Sequence, residues 1–436
     1  MTNASLLEHL KLVLRPDPSR TVIRPFMPGY PAGFDFGSLS RTQVIVNRIL
    51  AFDDAVVARA LAAIMASLDC RHRNLEAIFR GRCNVLASTI DACEAIDDPR
   101  QQLIGAYLSE EYAFEAAALF NPSIVRHPDQ SDAPDGAIKF VMSLRGIGEG
   151  HVSSVTFRTG TWTPNVSIKI DPLSPFAVAP SIEGGLVDPN AVSAELRCGG
   201  SKAVSETVLF PLLRSQKQGI EDVRLVHFVE DDGTSLYHGT YTAFNGIDAR
   251  SELLTTSDFH AISMRPLAGG ASAGKGMALF PRRIGGRYAM LGRQDNENIW
   301  LLCSDDLLTW DGGIKVLEPH APWEVIQMGN CGSPLEIAEG WLVITHGVGM
   351  VRNYCLGAAL LDRDDPSKVL ARTREPILSP TAENRDGYVP NVVYSCGGII
   401  HGRRLLLPYG VADSFTAFAT VDIDDLLTAM DPAGPD

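Results

Sequence analysis

Near residue 120 the chain changes its period, and no other feature restricts its fold as much. From Ser40 to about Ala118, apolar residues recur at i, i+3, i+4 and i+7 in RTQVIVNRIL, DDAVVARALAAIMASL and RNLEAIFRGRCNVLAST. Asp53 and Asp54 suit the cap and first turn of the second helix. QQLIGAYLSEEYAFEAAAL is read as the next helix. After Phe120, short runs rich in Val, Ile, Phe and Tyr alternate with Gly, Pro, Asn and Asp turns, as in AIKFVMSLR, VRLVHFVE, SLYHGTYTAF, WLVITHGV and RRLLLPYG. Such runs are strands. The boundary divides residues 1–118, a helical extension, from residues 119–436, a β domain.

The β domain carries a weak internal repeat: a polar or small residue, often beside Pro, then a strand, a turn and a second strand. Its copies begin near 120, 221, 279, 332 and 389, the last three 53 and 57 residues apart. A four-stranded propeller blade takes about 40–50 residues. Five copies therefore predict a mainly β fold, a five-bladed β-propeller preceded by the helical extension, with the longer first interval holding insertions or a further unit. A β-sandwich or paired β-domains is the alternative. In a propeller the inner strands would bring residues remote in sequence to one axial pocket.

Composition removes whole classes. Hydrophobic residues make up 45% and charged residues 21% of the 436, the balance of a globular protein. No run reaches the ~18 apolar residues of a membrane helix, and the N-terminus does not read as a signal peptide. A net charge of −14 argues against a nucleic-acid binder. The eight cysteines form no CxxC pair and no zinc spacing, so they read as buried thiols; the expectations are a cytoplasmic location and no metal.

Several residues could carry chemistry. In EDVR, strand alternation puts Asp222 and Arg224 on one face, where a guanidinium keeps a carboxylate ionised; a surface ion pair is the plain alternative. Lys275 lies in the Gly-rich turn AGGASAGKGMALFP, which lacks the order of a nucleotide P-loop. Arg293 and Asp295 project from a loop and could bind hydroxyls. His346 ends the strand of EGWLVITHGV, a place where most histidines are merely packed.

These motifs converge. FNP at 120–122, EDVR at 221–224, LFP at 279–281, GR with Asp295 at 292–295, SDDLLTW, EGWLVITHGV, GAALLDRDDPSKV and VPNVVYSCG resemble glycoside hydrolase family 130, the β-mannoside phosphorylases and β-1,2-mannosidases. The resemblance implies an inverting enzyme on β-mannoside oligosaccharides, with Asp222 as general acid acting through a substrate hydroxyl. It implies inorganic phosphate as co-substrate, no other cofactor, and mannose 1-phosphate as product. It places phosphate on Arg145, Lys275 and His346, and sugar on Glu221, Arg224, Tyr241, Arg293, Asp295, Gln327, Glu336, Asn391 and Asp413. Three positions depart from the pattern: Val223 replaces a Pro, Gln327 a Lys, and Cys355 an Arg, with Arg352 close by. Loss of cations favours hydrolysis, which needs a carboxylate base; Glu336, Glu297 and Glu383 are the options. A carbohydrate-binding propeller without catalysis is the third reading. The helical extension would wall the pocket or form a homo-oligomer contact.

Overall fold

The computed structural model describes residues 6–33, 39–87, 90, 95–183, 191–382 and 387–433. It is mainly β. The first strands are β1 (Glu8–Leu14) and β2 (Thr21–Pro25); helices α1 (Arg41–Leu50), α2 (Asp54–Leu68), α3 (Leu75–Val85) and α4 (Asp98–Tyr107) follow. Ser40, Asp53 and Asp97 cap three of the helices by accepting from the backbone N–H three residues on. Their apolar faces meet in a core of Val46, Ile49, Val57, Cys83, Leu86, Leu103, Ile104 and Leu108. The expected long last helix is shorter. It stops at Tyr107, and β3 (Ser109–Ala113) pairs with β2 and buries Tyr112. Pairing to a strand 84–92 residues earlier in the chain overrode a locally helical pattern, which the sequence could not reveal.

Five antiparallel meanders follow. The first is β4 (Ala118–Arg126), β5 (Ile138–Ile147), β6 (Ser153–Thr163) and β7 (Ser167–Ile170). Between it and the second lie β8 (Ser181–Ile182), β9 (Ala194–Arg197) and β10 (Val208–Leu209), the insertion that lengthens the first interval. The second is β11 (Gly219–Val229), β12 (Ser235–Phe244), β13 (Ala249–Thr256) and β14 (Ala261–Pro266), extended by β9. The third is β15 (Ala278–Leu279), β16 (Tyr288–Gly292), β17 (Ile299–Ser304) and β18 (Ile314–Leu317).

The fourth contains β19 (Gln327–Asn330), β20 (Leu335–Ile337), β21 (Gly340–Val348), β22 (Tyr354–Leu361) and β23 (Val369–Thr373). The fifth contains β24 (Val393–Tyr394), β25 (Ile399–His401), β26 (Arg404–Val411) and β27 (Phe415–Asp422). Its outer strand is β1, in register Glu8 with Thr420. The short helix α5 (Ile423–Thr428) and β28 (Met430–Pro432) follow, the latter on the outer edge of β23. Among the described residues no sheet closes on itself. No described helix is long and apolar enough to cross a membrane.

The helical segment is joined to the β domain by charge as well as by β1. Arg20, Glu115 and Arg158 are all buried, with Arg158 donating both to Glu115 Oε1 (2.7 Å) and Oε2 (2.9 Å) and Arg20 reaching Oε1 at 3.4 Å. Arg73, ahead of α3, forks onto Glu206 at 2.5 and 2.8 Å.

Candidate active site

Asp222 sits in a bulge of β11, where the pairing with β12 shifts between Glu221 and Arg224. Its φ is +53°, a left-handed conformation that aspartate tolerates better than most side chains. The bulge interrupts the alternation and turns the carboxylate inward, 9% exposed. Asn121 Nδ2 donates to Asp222 Oδ1 at 2.8 Å, and Arg145 approaches the same oxygen at 3.6 Å. Burial works to raise the proton affinity of Asp222. The charges of Arg145, Arg224 and Lys275 and the Asn121 bond outweigh it, so the carboxyl is held below its ordinary range.

Two different chemistries flank this carboxylate. On one side Arg145 donates to Glu221 at 2.6 Å and to Ser153 Oγ at 2.9 Å. Arg145, Glu221 and Asp413 line a cavity of about 300 Å³ together with Phe120, Phe244 and Tyr388. Burial and the charge of Asp222 push the Asp413 carboxyl up to about 6. Arg145, expected on phosphate, is thus paired with Glu221 and lies beside Asp222 and Asp413.

Further cations lie close by. Arg224 donates to the Tyr394 hydroxyl at 2.7 Å and to the Asp222 carbonyl at 3.3 Å, and its Nε is buried with no hydrogen-bond partner. Arg293 Nη1 donates to His346 Nε2 at 3.0 Å, and its Nε is likewise buried and unpartnered. Burial, with Arg293, Arg224 and Lys275 nearby, drives the proton affinity of His346 far down. The imidazole is therefore neutral, accepts from Arg293, and points Nδ1 at Cys331 Sγ, 3.7 Å away. Its expected role as a cation is corrected: His346 orients one. Lys275 is exposed in its loop, with its charge felt at Asp222, Asp413 and His346.

Two sequence expectations fail outright. Tyr241 is 1% exposed in the core of the second meander, donating to Glu252 at 2.7 Å and accepting from Gln216. Strand alternation points it away from the site. Glu336 lies at the surface on β20, forked by Arg282 at 2.8 and 3.1 Å. Asp295 is spent on its own loop, accepting from the backbone of Glu297 and Asn298 and from the side chains of Asn298 and Trp300. Burial would raise its proton affinity, but these bonds bring it down to about 2. Glu297 is exposed in that same loop, and Glu383 lies outside the described residues, as does Cys93. Gln327 begins β19 opposite Val348, and Asn391, at φ +61°, accepts from Tyr354 N–H through its carbonyl. Neither side chain is bonded to the Asp222 group by any contact described above.

Asn121 and Tyr394 are not among the residues expected from sequence, although the motifs FNP and VPNVVYSCG contain them. The signal was there for Asn121: an Asn before Pro at the same repeat position as Asp222. Among the described residues no three His, Cys, Asp or Glu side chains converge as a metal site.

A buried carboxylate with further carboxylates, aromatic rings and cations around it suits a carbohydrate-active protein. Residues 199–432 match the family model described as beta-1,4-mannooligosaccharide phosphorylase, and the chain belongs to glycoside hydrolase family 130. It is 36% identical over 214 residues to a 1,2-beta-oligomannan phosphorylase of Thermoanaerobacter sp. strain X514, across 48% of this chain and 70% of that protein. It is 34% identical over 232 residues to a beta-1,2-mannobiose phosphorylase of Listeria innocua, across 51% of this chain and 63% of that one. The solved structure of the beta-1,2-mannobiose phosphorylase from Listeria innocua with beta-1,2-mannobiose shares the fold, with a TM-score of 0.51 at 22% identity over 72% of this chain and 92% of that one. A glycosyl hydrolase from Bacteroides ovatus gives 0.52 at 19% identity over 75% and 88%.

Proposed function

We propose that the protein cleaves β-mannosidic bonds by phosphorolysis, with inversion, releasing mannose 1-phosphate. The observation that supports this reading is the gathering of Arg145, Arg224 and Lys275 around the buried Asp222, with Arg293 bonded to His346 nearby. A phosphate would answer the charge of these guanidiniums, and charge-assisted bonds from Arg to phosphate oxygens are among the strong ones.

A phosphate oxygen forms a bond to the anomeric carbon from the face opposite the leaving group. The glycosidic C–O bond breaks, and its electrons stay on the leaving oxygen. Protonated Asp222 gives its proton to a sugar hydroxyl, which passes one to that oxygen. In the empty site Asp222 is held ionised by cations. A phosphate dianion offsets those cations, so its arrival raises the proton affinity of Asp222 and readies the acid. Tyr394, whose proton affinity burial raises further, stays a neutral phenol able to donate to the anion.

The five meanders are, in this reading, the blades of a propeller around the site. Neighbouring meanders are joined in a ring. Leu225 N–H donates to Ser123 Oγ (first to second), Thr240 to the Met277 carbonyl (second to third), and Arg293 to His346 (third to fourth). Tyr354 N–H donates to Asn391 (fourth to fifth), and Cys396 N–H to Pro122 (fifth to first). The helical segment together with β1 walls the β domain, and the cytoplasm is the compartment where phosphate is at hand.

Hydrolysis has two observations in its favour: Gln327 and Cys355 bring no charge, and Asp413 is a second carboxyl lining the cavity. Replacing Asp222 by Asn tests the primary reading. It should lower kcat by about 10²–10⁴-fold while binding of mannoside survives. Unchanged turnover would remove Asp222 from the mechanism.

A further inference from the structure

At the rim of the 300 Å³ cavity, two aromatic rings from distant parts of the chain lie face to face. His151 ends the turn between β5 and β6, and Tyr388 belongs to the segment leading into β24. Their ring centroids are 5.5 Å apart with an interplanar angle of 30°. Both rings are exposed, Tyr388 to 69%. A tyrosine on a polar surface normally lays its ring on the protein. Here one face rests on another exposed ring, and the remainder borders the cavity.

The turn that presents His151 is held in place. Gly150 and His151 both have left-handed φ, +71° and +56°, and Gln218 donates to the Gly150 carbonyl at 3.2 Å. A histidine in that conformation carries backbone strain of about 1–2 kcal/mol, so its placement is enforced by the surrounding structure.

Below the rings the lining combines two chemistries. Phe120, Phe244 and Ile147 give apolar walls, while Glu221, Asp413 and Arg145 give acceptors and donors. Apolar faces beside carboxylates fit a pyranose, which has C–H faces and hydroxyl edges. The carboxylates disfavour phosphate. We propose that the His151–Tyr388 pair is a stacking platform for a mannopyranosyl ring of the substrate, making these two residues determinants of sugar affinity. The proposal rests on the β-mannoside reading above but assigns residues that reading does not use. Tyr388 falls within the family-matched segment and His151 outside it, so the platform pairs the shared region with a part of this chain beyond it.

The test has two arms, both on the full-length protein. In phosphorolysis of β-1,2-mannobiose and β-1,2-mannotriose, Tyr388→Ala should raise KM for sugar at least about tenfold. KM for phosphate should stay within about twofold, and Tyr388→Phe should behave as wild type. His151→Ala should move sugar KM in the same direction. In the second arm, calorimetry with Asp222→Asn as the parent should show the same weakening of mannotriose binding when Tyr388→Ala is added. Unchanged sugar KM and sugar binding overturn the platform, as does a KM for phosphate that moves equally with that for sugar. If wild type turns over no mannoside yet Tyr388→Ala still weakens binding to Asp222→Asn, the phosphorylase reading fails and the platform stands.

Discussion

The side-chain amide of Asn121 donates to the Asp222 carboxylate at 2.8 Å, and the two residues occupy the same position in neighbouring meanders. Each sits in a bulge of a first strand, between Phe120 and Ser123 or between Glu221 and Arg224, and each has left-handed φ, +50° and +53°. One copy of the repeat holds the acid of the other.

Removing that amide should therefore cost activity more than stability. Asn121→Gly keeps the left-handed backbone free of Cβ strain. Losing a hydrogen bond to a charged group is worth about 1.5–3 kcal/mol, so kcat/KM should drop about 10–100-fold. Steady-state kinetics beside a thermal melt separates the two. A large loss of Tm with intact kcat/KM would make Asn121 merely structural.

Asp413 should set a pH dependence. Its folded pKa, about 6, is raised from the ordinary 3.8 first by burial and then by Asp222. A raised carboxyl binds its proton more tightly in the folded state. Ionising it therefore costs stability progressively from about pH 4, with the full cost above pH 6. Asp413→Asn should accordingly be more stable than wild type by about 3 kcal/mol at pH 8, and level with it below pH 4. Denaturant unfolding across pH checks this; an advantage that grows toward acid would be the wrong sign.

His346 should act through Arg293. His346→Ala strands a buried guanidinium nitrogen, whereas His346→Gln can still offer an acceptor. KM for phosphate should rise at least about tenfold in the first and much less in the second. Equal effects would place the imidazole itself on phosphate.

The buried charges under the helical segment should be needed for folding. Glu115→Gln leaves Arg20 and Arg158 without their counter-charge, at a cost of about 3–5 kcal/mol. A markedly lower Tm, or insoluble protein, is expected. The same argument predicts that deleting residues 1–118 gives insoluble protein, since β1 and Arg20 go with them. A soluble, monodisperse truncation would contradict it.

Local pattern revealed what was local. Motifs name Asp222, Arg224, Lys275, Arg293 and His346, and the fold brings them close enough to feel one another's charge. The five repeat starts fall within a few residues of the first strand of each meander. Direction was harder to read. Tyr241 and Glu336 sit in strands whose motifs are right, but the motif does not say which face a side chain takes. At Asp222 the reverse happened, since a bulge breaks the alternation that sequence reading assumed. Charge state was hidden as well: His346 is a base in sequence and a neutral acceptor once buried beside Arg293. The strand at Ser109–Ala113 depends on a partner remote in sequence, so its helical texture misled.

The central claim is that phosphate, gathered by Arg224, Arg293 and Lys275, attacks while Asp222 supplies the proton. Incubating the protein with β-1,2- and β-1,4-linked manno-oligosaccharides, with and without inorganic phosphate, tests it most directly. Mannose 1-phosphate formed only when phosphate is present, and lost in Asp222→Asn, is the predicted result. Free mannose released at the same rate without phosphate would contradict it.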